Sequence, residues 1–231
     1  MKTMMRMRRR GFLGGTATTL SLAALGQPGW PALAADGTPG VIPQDLAALE
    51  KLIEPMEADS PRYLCVPRQD GRFLNFLIRA ARARNVLELG AAHGYFSIWM
   101  GAALNETDGR MTSLELLAER LDLARKHLAQ ASLSQRVTFK EGDAHQIVPT
   151  LDGPFDLVFL NADKAGLVDY FNKLFPKKLA PGALLVTYGA IRQKDKMKDY
   201  LDLIGAHPEF DTVVLSATME DGFAASCRKR K

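Results

Sequence analysis

Short apolar runs alternate with longer segments of helical periodicity along most of the chain, and this alternation limits the fold more than any other feature. Each run is followed by a segment whose apolar residues recur at the spacing of a helix face. Alternating strands and helices predict a parallel sheet with helices on both faces. The strands predicted in this way are 86–89, 111–114, 137–139, 157–160 and 183–187.

Helical periodicity also precedes the first strand, and a pair of strands ends the chain. Apolar residues at helical spacing predict one helix over 46–56 and a second over 73–81. Near the C-terminus, the runs 212–215 and 222–227 are joined by a turn-like Met-Glu-Asp-Gly and predict an antiparallel hairpin. The predicted fold is therefore a Rossmann-like α/β domain, with a seven-stranded, mostly parallel sheet, helices on both faces and a C-terminal antiparallel hairpin.

The first 35 residues have the three-part layout of an export signal. Basic residues that include the pair Arg9-Arg10 precede a weakly apolar segment at 11–26, and Ala-Leu-Ala at 32–34 forms an A-x-A cleavage site. Arg9-Arg10-Gly-Phe-Leu resembles the twin-arginine motif, and the apolar segment is shorter than the roughly 20 residues of a membrane span. We therefore expect a cleaved twin-arginine signal at 1–35, a linker at 36–43, one domain at 44–231, export to a bacterial periplasm and no stable membrane anchor after cleavage.

Net charge indicates whether the protein binds nucleic acid, and the cysteine content indicates whether a disulfide can form. The chain has 30 Lys and Arg against 26 Asp and Glu, and residues 1–35 hold 5 of the basic and none of the acidic residues, which leaves 25 against 26. A nearly neutral domain with four basic residues at its end is not expected to bind nucleic acid. Cys65 and Cys227 are either a disulfide pair in an oxidising compartment or two free, buried thiols.

Polar residues follow the predicted strands at the edge where parallel sheets bind ligands. After the first strand, Glu88-Leu-Gly90-Ala-Ala-His-Gly94 has glycines for a tight turn, but it lacks the G-x-G-x-x-G spacing of a dinucleotide site. Glu115 ends the second strand, where a carboxylate can accept both hydroxyls of a ribose. Asp143 follows the third strand, near the place of an adenine amino group. These tips together predict a site for an adenosine that carries an amino acid and no phosphate.

The same motifs resemble those of the class I S-adenosylmethionine (SAM) methyltransferases, and most closely the catechol and caffeoyl-CoA O-methyltransferase family. The resemblance runs from about residue 66 to 228 and rests on VPRQDGRFLNFL, VLELGAAHGYFS, the acid at 115, EGDA, FDLVFLNADK, LAPGALLV and DGFAASCRKR, which fall in family order. It implies SAM as the cofactor, a small-molecule substrate and SAM contacts from Val66, Glu88, Gly90, Gly94, Phe96, Glu115, Asp143 and Ala144. The family usually has Ser at the position of Phe96, so one hydrogen bond to SAM is not expected.

The tips of the fourth and fifth strands depart from the family. The family reads D-A-D-K and later D-N, and the resemblance assigns a divalent metal to the first Asp and to the D-N pair. This chain has Asn161, Tyr188 and Gly189 there, and Mg²⁺ sites depend on carboxylates and water, so we expect no metal ion. Lys164 matches the lysine that is often assigned as the base in the family. The candidate catalytic residues are therefore Lys164, Asn161 and Tyr188, with His145 and His93 as substitutes for the base.

These observations favour a SAM-dependent O-methyltransferase that acts, without a metal, on a small phenolic or otherwise acidic hydroxyl compound. Two other classes are left open by the sequence. The departures at the metal positions favour a non-catalytic protein that binds SAM or S-adenosylhomocysteine, and a nicotinamide-dependent oxidoreductase is disfavoured by the glycine loop. A homodimer is compatible with the resemblance.

Overall fold

The computed structural model of the protein describes residues 46–58, 67–217 and 220–230. Four sequence predictions, the signal at 1–35, the linker at 36–43, Cys65 and Val66, lie outside the described residues. Two helices come first, α1 (Leu46–Ala58) and α2 (Arg68–Ala81). They are followed by β1 (Asn85–Leu89), α3 (Tyr95–Thr107), β2 (Arg110–Glu115), α4 (Ala118–Gln130), β3 (Val137–Glu141), α5 (Ala144–Ile147), β4 (Phe155–Leu160), α6 (Leu167–Leu174), β5 (Leu179–Tyr188), α7 (Lys198–Ala206), β6 (Phe210–Leu215) and β7 (Phe223–Arg228).

The strands form one seven-stranded sheet in the order β3-β2-β1-β4-β5-β7-β6. The first five strands are parallel, while β7 runs antiparallel to both β5 and β6. The predicted Rossmann-like sheet with a C-terminal antiparallel hairpin is therefore confirmed. Strand β5 is longer than the predicted 183–187, because its first residues pair with the start of β4 across a register shift.

Two groups of buried apolar side chains cover the two faces of the sheet. One group packs α1, α2 and α3 against one face, and the other packs α6 and α7 against the opposite face. Every residue of β1 after the first is buried, as expected for a central parallel strand. Among the described residues, no helix has the length and apolar content that a membrane span requires.

Two glycines shape the loop between β1 and α3. Gly90 and Gly94 have φ angles of 93° and 86°, in the region that favours glycine. A Cβ atom on Gly90 would lie 2.7 Å from the backbone oxygen of Asn161, so only glycine lets the tips of β1 and β4 come this close. The loop therefore leaves room for a ligand at the carboxyl ends of the strands.

Candidate active site

A cavity of about 890 Å³ lies at the carboxyl ends of the parallel strands. Its size is within the range of small-molecule sites, and its place is where open α/β sheets bind their ligands. Residues that follow β2 and β3 line one half of it, namely Glu115, Leu116, Leu117, Arg120, Gly142, Asp143 and Ala144. Residues that follow β4 and β5 line the other half, namely Asn161, Ala162, Asp163, Lys164, Ala165, Tyr170, Tyr188, Gln193 and Lys196. Gly90 and Ala92, after the central strand β1, lie between the two halves.

The carboxylate of Glu115 is held in place by backbone donors. The N–H of Ala92 donates to Oε2 over 2.8 Å, and the N–H of Leu117 donates to Oε1 over 3.1 Å. Each carboxylate oxygen has a second lone pair, so two bonds leave Glu115 able to accept further hydroxyl groups. The side chain is buried yet lines the cavity, which fixes the position of its charge.

Asp143 has a similar backbone contact at the tip of β3. Its Oδ1 accepts the N–H of His145 over 2.8 Å, which caps the short helix α5. Ala144 is buried and lines the cavity beside Asp143. The structure therefore brings Gly90, Glu115, Asp143 and Ala144 together in the wall of a single cavity.

Three predicted SAM-contact residues, Glu88, Gly94 and Phe96, are not among the residues that line the cavity. Glu88 lies under the loop, where Ser97 and Ser113 each donate to Oε2 over 2.5 Å. Burial raises the pKa of Glu88 to about 7, although the two hydroxyl donors favour the charged form. Gly94 packs against α4, with Ala124 3.1 Å from the position of a Cβ atom. The third residue, Phe96, lies in an aromatic cluster.

The ring of Phe96 packs edge-on against two other aromatic rings. Its centroid lies 5.0 Å from that of Phe159 and 5.3 Å from that of Tyr188. The ring therefore packs in the core, and it is not among the residues that line the cavity. Tyr188 also packs against Phe223, with the ring centroids 5.1 Å apart. The two family positions occupied by Phe96 and Tyr188 are thus in direct contact in this protein.

The hydroxyl group of Tyr188 bridges two buried carboxyl groups. It lies 2.9 Å from Oδ2 of Asp70 and 2.9 Å from Oδ2 of Asp221, which are 0% and 6% exposed. Burial and the two neighbouring acids raise the pKa of Tyr188 well above its ordinary range. These contacts make Tyr188 a poor base, against the prediction from its place at the strand tip. Sequence reasoning missed Asp70 and Asp221, because they lie 118 and 33 residues from Tyr188.

Lys164 lies at the tip of β4 and lines the cavity. Its Nζ atom is buried and has no hydrogen-bond partner among the described residues, although the rest of the side chain is partly exposed. Burial lowers the pKa of Lys164 to about 8, and the charges of Asp163 and Asp221 offset part of that effect. A lysine amine with this pKa is partly neutral near pH 8 and can accept a proton.

The remaining candidates are engaged in other contacts. Nδ1 of His145 lies 2.5 Å from Oδ2 of Asp169, and Nε2 lies 3.4 Å from Oδ1 of Asp163. Burial lowers the pKa of His145, but these two acids outweigh it and raise the pKa overall. His93 is buried and does not line the cavity. Neither histidine therefore replaces Lys164 as the candidate base.

The residues at the family's metal positions do not suit a divalent ion. Asn161 has only a neutral oxygen to offer, and its amide lies at a long 3.5 Å from the backbone oxygen of Gly90. The hydroxyl of Tyr188 is engaged by two acids, and Gly189 has no side chain. In the described part of the chain, no group of three or more His, Cys, Asp or Glu side chains is arranged to hold a metal ion.

Cys227 is exposed, contrary to the expectation of a buried thiol for this residue. It lies on β7, in the C-terminal part of the sheet and away from the cavity. Its predicted alternative, a disulfide with Cys65, involves a residue outside the described ranges.

A mostly parallel sheet of this order, with a glycine loop after β1 and acids after β2 and β3, is typical of the class of SAM-dependent methyltransferases. A family model described as O-methyltransferase matches residues 43–196. A catechol O-methyltransferase of Niastella koreensis is 37% identical over 151 residues, which cover 64% of this chain and 66% of that protein. A catechol O-methyltransferase of Mycobacterium tuberculosis is 34% identical over 183 residues, which cover 72% of this chain and 81% of that protein. The protein belongs to this O-methyltransferase family.

Solved structures of the same class have the same fold. An O-methyltransferase from Bacillus cereus in complex with SAH superposes with a TM-score of 0.69 at 28% identity, covering 82% of this chain and 93% of that one. The O-methyltransferase TomG from Streptomyces achromogenes, in complex with SAM, gives a TM-score of 0.69 at 26% identity, covering 82% and 92%. The activity that gives the family its description is O-methyl transfer, and these two neighbours bind SAM or its product SAH. Family membership also decides against the nicotinamide-dependent alternative.

Proposed function

We propose that the protein methylates the hydroxyl group of a small phenolic compound without a divalent metal, and that Lys164 is the base. The observation that carries this proposal is the buried Nζ of Lys164, which has no partner among the described residues and lies in the wall of the cavity. The catechol O-methyltransferase names of two relatives support a phenolic acceptor. Phenols ionise near the pKa of tyrosine, about 10, so a base with a pKa of about 8 can assist their ionisation.

The chain contributes positioning and one proton transfer to this reaction. SAM, when bound, supplies an electrophilic methyl group on its sulfonium. Neutral Lys164 accepts the proton of the acceptor hydroxyl at Nζ, which leaves an oxygen that would take up this methyl group. The electron pair of the broken carbon–sulfur bond would stay on sulfur, and the products would be the methyl ether and S-adenosylhomocysteine. Alignment of the two reactants accounts for much of the rate.

The cofactor contacts in this proposal follow the order of the strands. Glu115 accepts the ribose hydroxyls, and Asp143 and Ala144 contact the adenine. Gly90 and Asn161 leave space for the amino-acid part of SAM where β1 and β4 meet. Because these residues line adjacent parts of one cavity, a single SAM molecule can reach all of them.

Methyl transfer in the presence and absence of a chelator tests this function. SAM binding is measured by calorimetry, and turnover is then measured with catechol after treatment with EDTA. We expect SAM binding and turnover that survive EDTA. Loss of turnover that Mg²⁺ restores would show metal ligands other than those described, and SAM binding without turnover on any phenol would favour a binding protein.

We also propose that the protein is exported from the cytoplasm. Arg9-Arg10 and the A-x-A tripeptide at 32–34 support export through the twin-arginine pathway, which moves folded proteins. Export after folding would let the protein leave the cytoplasm with SAM already bound. Mass spectrometry of the protein from its own host tests this, because a cytoplasmic product that retains Arg9 and Arg10 would rule out export.

A further inference from the structure

The charged groups that line the cavity are distributed unevenly between its two halves. On the β2–β3 half, Glu115 and Asp143 are held by backbone N–H groups, and Arg120 is the cation at that rim. The half after β4 and β5 contains two lysines, Lys164 and Lys196. If SAM binds along the β1–β3 half, the methyl acceptor faces the half with the two lysines.

The two acids whose charges act on Lys164 are engaged by other groups. Oδ1 of Asp163 accepts the Tyr170 hydroxyl over 2.6 Å and lies 3.4 Å from Nε2 of His145. Asp221 contacts the Tyr188 hydroxyl and also lies 3.6 Å from the Arg192 guanidinium. Neither carboxylate forms an ion pair with Lys196, so the positive charge of Lys196 is available to a ligand.

The segment after β5 fixes the backbone that presents Lys196. The N–H groups of Gly189 and Ala190 donate to the carbonyl of Gly222 over 2.8 and 3.1 Å. The N–H of Ile191 donates to the carbonyl of Asp221 over 2.8 Å. Ala190 at the start of the segment and Met197 at its end are both buried. These hydrogen bonds hold the backbone of the segment rigidly, so the side chain of Lys196 can contact a ligand group at one fixed place.

Four cations follow β5 closely, Arg192, Lys194, Lys196 and Lys198, and only Lys196 lines the cavity without an ion-pair partner among the described residues. Arg192 pairs with Asp221, and Lys198 pairs with Asp202. Lys194 is exposed and does not line the cavity. Lys196 therefore differs from these equally charged neighbours in its location, and Gln193 lies in the same wall of the cavity.

We infer that Lys196, with Gln193 beside it, binds an anionic group on the methyl acceptor, so that the preferred substrates are phenols that carry a carboxylate. This inference rests on the proposed function and specifies its substrate class. The ammonium group of Lys196 gives a charge-assisted contact to the carboxylate, and the amide of Gln193 offers a second donor. The phenolic hydroxyl at the other end of such a compound is then directed toward Lys164.

Three acceptors that differ in charge test the inference: catechol, its carboxylated analogue protocatechuate and its aminated analogue dopamine. We expect kcat/KM to be highest for protocatechuate and lowest for dopamine, and the difference to shrink as salt is added. Lys196→Met should lower kcat/KM for protocatechuate about fivefold, the scale of one exposed charge pair, and leave catechol unchanged. The loss should appear in KM, because the contact is the same in ground and transition states.

Two further variants separate a specific contact from general charge. Lys194→Met removes an equal charge from the same segment and should leave kcat/KM unchanged for both protocatechuate and catechol. Lys196→Arg should retain the preference for protocatechuate. Equal effects of Lys194→Met and Lys196→Met, or a wild-type protein without preference among the three acceptors, would overturn the inference. No turnover on any of the three compounds would instead count against the proposed function.

Discussion

Replacement of Lys164 by methionine should make the protein more stable and nearly inactive at neutral pH. The native pKa of Lys164 is about 8, against an ordinary value of 10.5 for a lysine. Burial disfavours the charged amine, so the native state binds fewer protons at this group than the unfolded chain does between these two pH values. Methionine keeps the length of the apolar stem and removes the charge.

The size of the effect follows from the difference between the two pKa values. A difference of roughly 2.5 units corresponds to about 3 kcal/mol of unfolding free energy. A lowered lysine pKa destabilises the native state fully below about pH 8, and this effect disappears as the pH rises through 10.5. Lys164→Met should therefore be more stable than wild type by up to about 3 kcal/mol near pH 7, and by little near pH 10.

Urea unfolding of both proteins at the two pH values measures this difference, and Lys164→Arg is the matched control. Arginine remains charged throughout, so that variant should gain no stability at either pH. A stability difference between Lys164→Met and wild type that is the same at both pH values would show that the amine is not perturbed by burial. Turnover should fall about 10²- to 10⁴-fold in both variants, because neither side chain can act as a base.

Three other substitutions test separate parts of the site. Glu115→Ala should weaken SAM binding by roughly 1.5–3 kcal/mol in calorimetry, and an unchanged affinity would contradict the assignment of the ribose contact. The raised pKa of Glu88 favours the native state at low pH, so the unfolding free energy of wild type should fall by on the order of 3 kcal/mol as the pH rises from about 4.5 through about 7. Glu88→Gln should not show this fall. Tyr188→Phe should lower the unfolding free energy by about 1–3 kcal/mol, because Asp70 and Asp221 lose their bridging hydroxyl, and should leave turnover nearly unchanged. A rate loss in Tyr188→Phe as large as that in Lys164→Met would identify Tyr188 as the base.

Burial explains why the fold was predictable from the sequence. A central strand such as β1 is buried on both faces, so it leaves a continuous apolar run, while the helices leave a stripe at helical spacing. The acids at the strand tips were predictable because parallel strands bring Glu115 and Asp143 to one edge. The full length of β5 was not predictable, because its first residues 179–182 include a Pro and a Gly and lack a strand pattern.

Contacts between residues distant in sequence limited the prediction of the site. The sequence places Phe96 beside the glycine loop, and nothing in its neighbours shows that the ring turns toward Phe159 and Tyr188. Lys196 and Gln193 lie in a segment with no helical or strand periodicity, so their place in the cavity wall appears only in the folded chain.

Tyr188, at one of the family's metal positions, is closely fitted to the residues around it. Tyr188 stands where the family has a metal-binding Asp, and its hydroxyl reaches Asp70 and Asp221 while its ring packs on Phe96. An Asp at position 188 would add a third carboxylate near two buried ones and would leave the ring of Phe96 without its aromatic partner. A buried cluster of like charges is unfavourable unless a cation compensates it. Tyr188→Asp alone would therefore destabilise the protein in the absence of a cation, because the acids and the aromatic ring around position 188 fit a tyrosine.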